Sequence, residues 1–221
     1  MAVRKYIFEP LQMRHSGFDF VRLSDPDKAV GYSRPGQPAP SVDSSVSYAA
    51  GAAYSTTGDL AKWHEGLLHH KIIGKASAEE GFTPVKGRYA YGWIVDSIAG
   101  KRRMGHGGGI HGFNTNFERV PEDDAYVILL SNVSNGSLNV ITDNIWKTLY
   151  FNAPIPKDKI KLKLEETVLK QYIGTYEMNE NFDVVVSVQN GELHAFPKGQ
   201  RDNLLYAESP DTFFTDDPDI R

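Results

Sequence analysis

Cysteine is absent from all 221 residues, which excludes disulfide bonds and a cysteine nucleophile while leaving the compartment open. No apolar run is long enough to cross a bilayer, and Glu9 and Pro10 interrupt the apolar stretch that a signal peptide would need within residues 1–13. Blocks of basic residues are missing too, and the net charge is -4, so nucleic acid is not an expected partner. What remains is a composition, 40% hydrophobic and 24% charged, able to bury a core in one large or two small domains.

The densest local signal is Gly105-His106-Gly107-Gly108-Gly109-Ile110-His111-Gly112-Phe113, which lies between segments that read as strands. Tyr89 to Asp96, with apolar Tyr91, Trp93 and Val95, precedes it through a Gly100 turn and Lys101 to Met104. Asn114 to Val120, a turn over Pro121 to Asp124 and the apolar run Tyr126 to Leu130 follow it, the pattern of antiparallel strands around a buried sheet. Glycines beside a strand admit the close approach of a second backbone or a ligand. With an imidazole on the same stretch, the segment is a candidate cleft wall.

Two simple readings of the cluster are weak. Gly107-x-Gly109-x-x-Gly112 has the letters of a dinucleotide fingerprint, but that device needs a helix N-terminus to meet the pyrophosphate, and here a strand ending in Pro121 follows. His106 and His111 as metal ligands lack the glutamate of a His-Glu-x-x-His helix, a nearby cysteine and an obvious third ligand, so no metal or other cofactor is expected.

In order along the chain, His106-Gly107-Gly108, Gly112-Phe113, Pro121 and Ser131-Asn132 resemble the last active-site strand and its neighbour in the serine β-lactamase and penicillin-binding-protein superfamily. The likeness is strongest to the class C β-lactamase-like hydrolases, which include D-amino-acid peptidases, carboxypeptidases and esterases. There the third active-site motif, Lys-Thr-Gly or His-x-Gly, lies on a strand facing the nucleophile. Two upstream segments extend the resemblance. Phe8-Glu9-Pro10-Leu11-Gln12-Met13 is similar to a "PLGM" segment, with Gln12 where glycine is usual, and Ala49 to Leu60 is similar to an "AAGGLxSTxxDL" stretch. The second also has a physical reading of its own: Thr56-x-x-Asp59 is a capping box opening a helix with Leu60, Trp63, Leu67 and Leu68 on one face.

The resemblance implies an α+β fold, an antiparallel sheet with packed helices forming part of a β-lactamase/transpeptidase-like domain over residues 1–153. It places His106 opposite the nucleophile, where an imidazole binds a substrate carboxylate or assists a proton relay, a purely structural histidine being the alternative. Gly107, Gly108 and Gly109 would line the substrate, the Gly109 N–H forming half of an oxyanion hole. Asn132 would end its strand near the cleft, with a structural cap as an equal alternative, and His111 is assigned to the rim.

The superfamily's nucleophile motif, Ser-x-x-Lys, occurs nowhere in the chain. Tyr150-Phe151-Asn152 has the letters of the second motif, Tyr-x-Asn, but follows the third motif at a helix end and is read as coincidence. Both motifs are therefore expected upstream of Met1. The chain reads as the C-terminal portion of a serine hydrolase for small-molecule or peptide substrates, inactive by itself, of a group that is commonly periplasmic or extracellular. The alternative is a non-catalytic fragment that binds peptide, glycan or a partner chain. With the first strands missing, apolar positions such as Val127 and Leu129 are expected to be partly uncovered, favouring self-association or pairing with an N-terminal segment.

Elsewhere, Arg34 to Pro40 reads as an irregular surface loop, and Gly136 to Tyr150 as a helix with a core Trp146. Residues 154–159 form a stiff linker. Residues 160–221 read as a small antiparallel β-module, with a short helix over Glu165 to Tyr172, strands over Asp183 to Val188, Leu193 to Phe196, Leu204 to Ala207 and Thr212 to Thr215, and an Asn190-Gly191 hairpin turn. Its Tyr172-Ile173-Gly174-Thr175-Tyr176 start resembles the lipocalin-like domain often appended to these hydrolases, and too few strands are expected to enclose a ligand.

Overall fold

The computed structural model, which describes residues 2–18, 20–34, 36–40, 51, 53–134, 138–156, 159–179, 182–197 and 202–215, carries the glycine stretch inside a strand rather than between strands. Pro35, Ala49, Ala50, Ala52, Gly136, Lys157 and Asp158, which belong to segments singled out above, lie outside the described residues. Two compact units divide the chain, Met1–Ile155 and Pro156–Arg221.

Early in the first unit, β1 (Tyr32–Arg34) and β2 (Gln37–Pro38) pair antiparallel, so the segment read as an irregular loop is a small hairpin. The main sheet runs β3 (Ile94–Ile98), β4 (Lys101–Ile110), β5 (Phe113–Val120) and β6 (Ala125–Ser131), neighbours in sequence pairing antiparallel. Left-handed residues make the connections: Ala99 at φ 49° and Gly100 at φ 79° between β3 and β4, Gly112 at φ 82° before β5, and Asp124 at φ 52° before β6. β3 starts later than the Tyr89 to Asp96 pattern suggests. Gly92 takes φ 77°, and the Ala90 N–H bonds the Trp93 carbonyl at 2.8 Å, so the chain turns before Ile94 instead of running straight into the sheet.

The register sorts side chains onto two faces. Val95, Met104, Arg119 and Tyr126 oppose one another across the four strands on one face, while Ile94, Gly105, Glu118 and Val127 form the next row on the other. The first face is covered by α1 (Thr57–Leu68) and α2 (Lys75–Gly81), whose Leu67 and Ala78 join Phe82, Ala90, Val95 and Met104 in one core. The second is covered by α3 (Leu138–Phe151), whose Trp146 packs with Ile98, Val120 and Val127.

α1 starts where the capping pattern places it. Thr56 accepts the Asp59 N–H at 3.2 Å, but the Asp59 carboxylate turns away from the cap to accept from the His15 N–H at 2.7 Å and the Ser16 hydroxyl at 2.9 Å. That bond ties the helix to the segment after Arg4–Phe8, a short π-helical turn. On the inner side of α1, fully buried His64 donates from Nε2 to Asp124 at 2.9 Å, and burial pushes its imidazole below the ordinary histidine range despite that carboxylate. Arg119 is buried close by against Phe82, and burial brings its guanidinium down to about 10.

Val127 departs from expectation. It is 8% exposed, because Trp146 of α3 lies over that face, and Leu129 is partly buried beside it. In the sheet, Tyr126 and Leu130 on the opposite face and Ile94 on the face of Val127 are each 40% exposed, and further apolar surface is exposed on α3 at Ile141, Ile145 and Leu149.

In the second unit, α4 (Glu166–Leu169) and a 3-10 turn (Lys170–Tyr172) lead into β7 (Gly174–Asn179), β8 (Phe182–Gln189), β9 (Glu192–Pro197), β10 (Asn203–Ala207) and β11 (Phe213–Phe214). They form a five-stranded antiparallel meander over Leu169, Val186 and Leu193. Asn190 at φ 51° and Gly191 at φ 78° make the β8–β9 turn as their dipeptide suggests. The module's histidine, His194, pairs through Nδ1 with Asp202 at 2.9 Å.

Candidate active site

β3 pairs with β4 only from Lys101 to Gly105. Beyond that point the other side of β4 stays bonded to β5, with Gly107 opposite Asn116, Gly108 opposite Thr115 and Gly109 opposite Asn114. The turn that delays β3 thus leaves His106 to Ile110 with no strand on one edge among the described residues, and all five are exposed. Successive backbone N–H and C=O groups of a strand alternate between its two sides, so this edge offers both donors and acceptors to an extended partner.

The edge is held firmly at its far end. Gly112 donates to the Ser134 hydroxyl at 2.7 Å, and the Asn114 side chain donates to the Ser134 carbonyl at 3.0 Å. Asn132, placed near the cleft by its motif, lies just past β6, two strands from β4. Its side-chain amide donates to the Val30 carbonyl at 2.9 Å and its backbone carbonyl accepts the Tyr32 N–H at 2.8 Å, so it ties the β1 segment to the sheet. His111 is exposed in the β4–β5 turn.

The glycines differ in their reasons. A β-carbon at Gly105 would lie 2.5 Å from the Phe117 carbonyl oxygen and 2.9 Å from the Glu118 α-carbon, a backbone clash. At Gly107 the nearest atoms would be the Thr115 carbonyl at 3.6 Å and Asn116 Oδ1 at 3.9 Å, which is ordinary contact. Gly105→Ala should therefore lower unfolding stability by about 1–3 kcal/mol, the range of overpacking, whereas Gly107→Ala should stay within about 0.5 kcal/mol. Urea denaturation of the two variants measures the difference. Since packing does not require glycine at 107, the bare backbone there keeps the exposed edge open.

His106 is the one ionisable side chain on the open stretch of β4. Its Nε2 lies 2.9 Å from the Tyr89 hydroxyl, and its Nδ1 contacts the Gly107 carbonyl. The Tyr89 and His106 rings meet edge to face, with centroids 5.7 Å apart. The alternating pattern puts Tyr89 in a strand, and no sequence signal marks it as a partner for a residue 17 positions on. Behind the wall, on the α3 side, Asn116 donates to Thr142 at 2.9 Å and the Trp146 indole donates to Glu118 at 2.7 Å, a buried polar row that fixes β5 beneath the edge.

Among the described residues, His64, Glu65 and Asp124 bring three metal-ligating atoms within 4.8 Å of one another, at the β5–β6 turn and so at the end of β5 away from the glycines. Tyr150 also stands apart from the open edge: it donates to Asp123 at 2.6 Å, and burial together with that carboxylate raises its hydroxyl to about 12. Its place in a Tyr-x-Asn triplet carries no site geometry.

Comparison with known proteins bears on the family and the fold. The Beta-lactamase family profile matches residues 2–150. Penicillin-binding protein 4* of Bacillus subtilis (strain 168) is 27% identical over 177 residues, covering 74% of this chain and 39% of that protein. The octameric penicillin-binding protein homologue from Pyrococcus abyssi superposes with a TM-score of 0.61 at 24% identity, over 92% of this chain and 50% of that one. A D-stereospecific amidohydrolase from Streptomyces sp. superposes with a TM-score of 0.52 at 24% identity, over 69% of this chain and 48% of that one. The chain thus spans 39% to 50% of the length of these relatives. With the profile running from the first helical turn through α3 and the glycine strand inside it, the chain belongs to the Beta-lactamase family.

Proposed function

We propose that the open edge of β4 is one wall of the acyl-transfer site of a serine hydrolase, and that polypeptide outside these 221 residues supplies the nucleophile. The observation that carries this reading is the conjunction on β4 of an edge unpaired among the described residues, three consecutive glycines and one imidazole. An extended amide or ester substrate can lie along that edge by strand addition, its backbone meeting the exposed groups of β4. Glycine at 107–109 lets the scissile carbonyl come against the strand, where the Gly109 N–H stabilises the oxyanion that forms on attack. His106 then binds the substrate's carboxylate or assists proton transfer as the acyl-enzyme forms and breaks.

The names of the relatives, penicillin-binding proteins and a D-stereospecific amidohydrolase, favour amide substrates with D-configured centres. The octameric relative and the exposed Tyr126, Leu130, Ile141, Ile145 and Leu149 favour self-association or pairing with a preceding segment. The absence of Ser-x-x-Lys supports a second reading, a binding fragment without chemistry.

Intact-mass measurement separates the two. The 221-residue chain should take up no fluorophosphonate or penicillin, while a full-length polypeptide in which it follows a portion bearing Ser-x-x-Lys should gain one adduct. A stoichiometric adduct on any serine of the chain alone, or none on the longer polypeptide, would contradict the proposal.

A further inference from the structure

Tyr89 lies outside the strands and helices of the first unit, yet its backbone is firmly placed. Its N–H donates to the Lys86 carbonyl at 2.9 Å, its carbonyl accepts the Val85 N–H at 2.9 Å, and Gly87 takes φ 58° to close the turn. An isolated bridge also joins it to Ile94, where β3 starts. The phenol stands 46% exposed over the start of the open edge, with its hydroxyl on His106 Nε2.

The two partners of the imidazole decide where its proton sits. A carbonyl oxygen only accepts, so the contact between Nδ1 and the Gly107 oxygen requires the proton on Nδ1. In the neutral ring the lone pair is then on Nε2, and the Tyr89 O–H is the donor to it. Without Tyr89, Nε2 would lose its fixed partner, and the ring would be held through Nδ1 alone.

We propose that Tyr89 is a positioning residue for His106, fixing the imidazole as its Nδ1–H tautomer with Nε2 as an acceptor above the glycine edge. The role rests on the reading of β4 as a wall of the acyl-transfer site. In it the Tyr89 hydroxyl donates a hydrogen bond to Nε2 while the ring is neutral, keeping its own proton. When the ring becomes imidazolium, the Nε2–H donates back to the Tyr89 oxygen and the phenol's own proton turns outward. The pair therefore presents an acceptor before His106 takes up a proton and a donor afterwards, and no bond to carbon or oxidation is involved.

Nitrogen NMR of His106 in the 221-residue chain tests the assignment, with Tyr89→Phe as the variant, because it keeps the ring and removes only the hydroxyl. Wild type should show the Nδ1–H tautomer at alkaline pH, and Tyr89→Phe, in which the Gly107 carbonyl alone still selects that tautomer, a measurably larger Nε2–H share than wild type, at unchanged amide dispersion. An Nε2–H ring in wild type, or an identical tautomer in both proteins, overturns the proposal. In a full-length polypeptide carrying the nucleophile, Tyr89→Phe should lower kcat about tenfold with little change in KM. Full activity beside a shifted tautomer overturns the positioning role. If His106→Ala is itself without effect, it is the reading of the site that fails, whereas the tautomer experiment still stands on its own result.

Discussion

Joined to a portion that supplies Ser-x-x-Lys and Tyr-x-Asn, the His106→Ala protein should hydrolyse an amide or ester reporter with kcat/KM lowered by about tenfold to a hundredfold, the lower range for loss of a positioned acid–base or binding group. The imidazole is the one ionisable side chain on the open stretch of β4, and both of its nitrogens have partners that fix its direction. Because it is exposed and, among the described residues, bonds Tyr89 and its neighbour's carbonyl, its removal should leave stability within about 0.5 kcal/mol. Steady-state kinetics beside a denaturation curve separate the two effects. Unchanged kcat/KM at equal stability would reduce His106 to a surface residue.

Trp146→Ala should produce the largest loss of stability, about 3–5 kcal/mol, the range for deleting a buried aromatic. Trp146 is 1% exposed and is the main cover that α3 lays over Ile98, Val120 and Val127. Its indole also donates to the Glu118 carboxylate at 2.7 Å, which the Arg103 guanidinium approaches at 3.4 Å. Truncation therefore opens a cavity and removes a charge-assisted hydrogen bond together. Domains of this size hold about 5–15 kcal/mol in all, so thermal or urea denaturation should show a large fall. Trp146→Phe, which keeps most of the ring volume and loses the donor, should fall between wild type and Trp146→Ala. A shift of under about 1 kcal/mol in Trp146→Ala would show that α3 does not hold the sheet.

Local chemistry made much of the fold legible. Gly100 and Asn190-Gly191 marked hairpin turns, and left-handed residues stand there. Thr56-x-x-Asp59 marked the start of α1, although the Asp59 carboxylate serves a bond 44 residues back in sequence, which no capping rule reveals. Where the resemblance has glycine in its "PLGM" segment, Gln12 takes φ 54°, the backbone that glycine adopts without strain.

Non-local partners decided the rest. Glycine weakens a strand, so the Gly105 to Gly109 stretch reads as an interruption between strands, yet pairing with Phe113 to Arg119 of β5 carries β4 through it. β3 begins at Ile94 because Gly92 turns the chain, and the same turn opens the edge and sets Tyr89 over His106. Alternation identified Val127 as apolar but could not say which helix covers it. Of the candidate site, the strand residues were legible from their motif, whereas the second anchor of the imidazole and the tether made by Asn132 are contacts across the fold.

Amide hydrogen exchange on a full-length polypeptide, in which this chain follows a portion bearing Ser-x-x-Lys, tests the central claim most directly. Acylation by a penicillin should slow exchange in the peptide covering residues 106–110, because the bound acyl group occupies the open edge of β4 and engages the Gly109 N–H, while β7 to β11 stay unchanged. Acylation that leaves residues 106–110 exchanging as before, with protection confined to other segments, would contradict the assignment of this edge to the site.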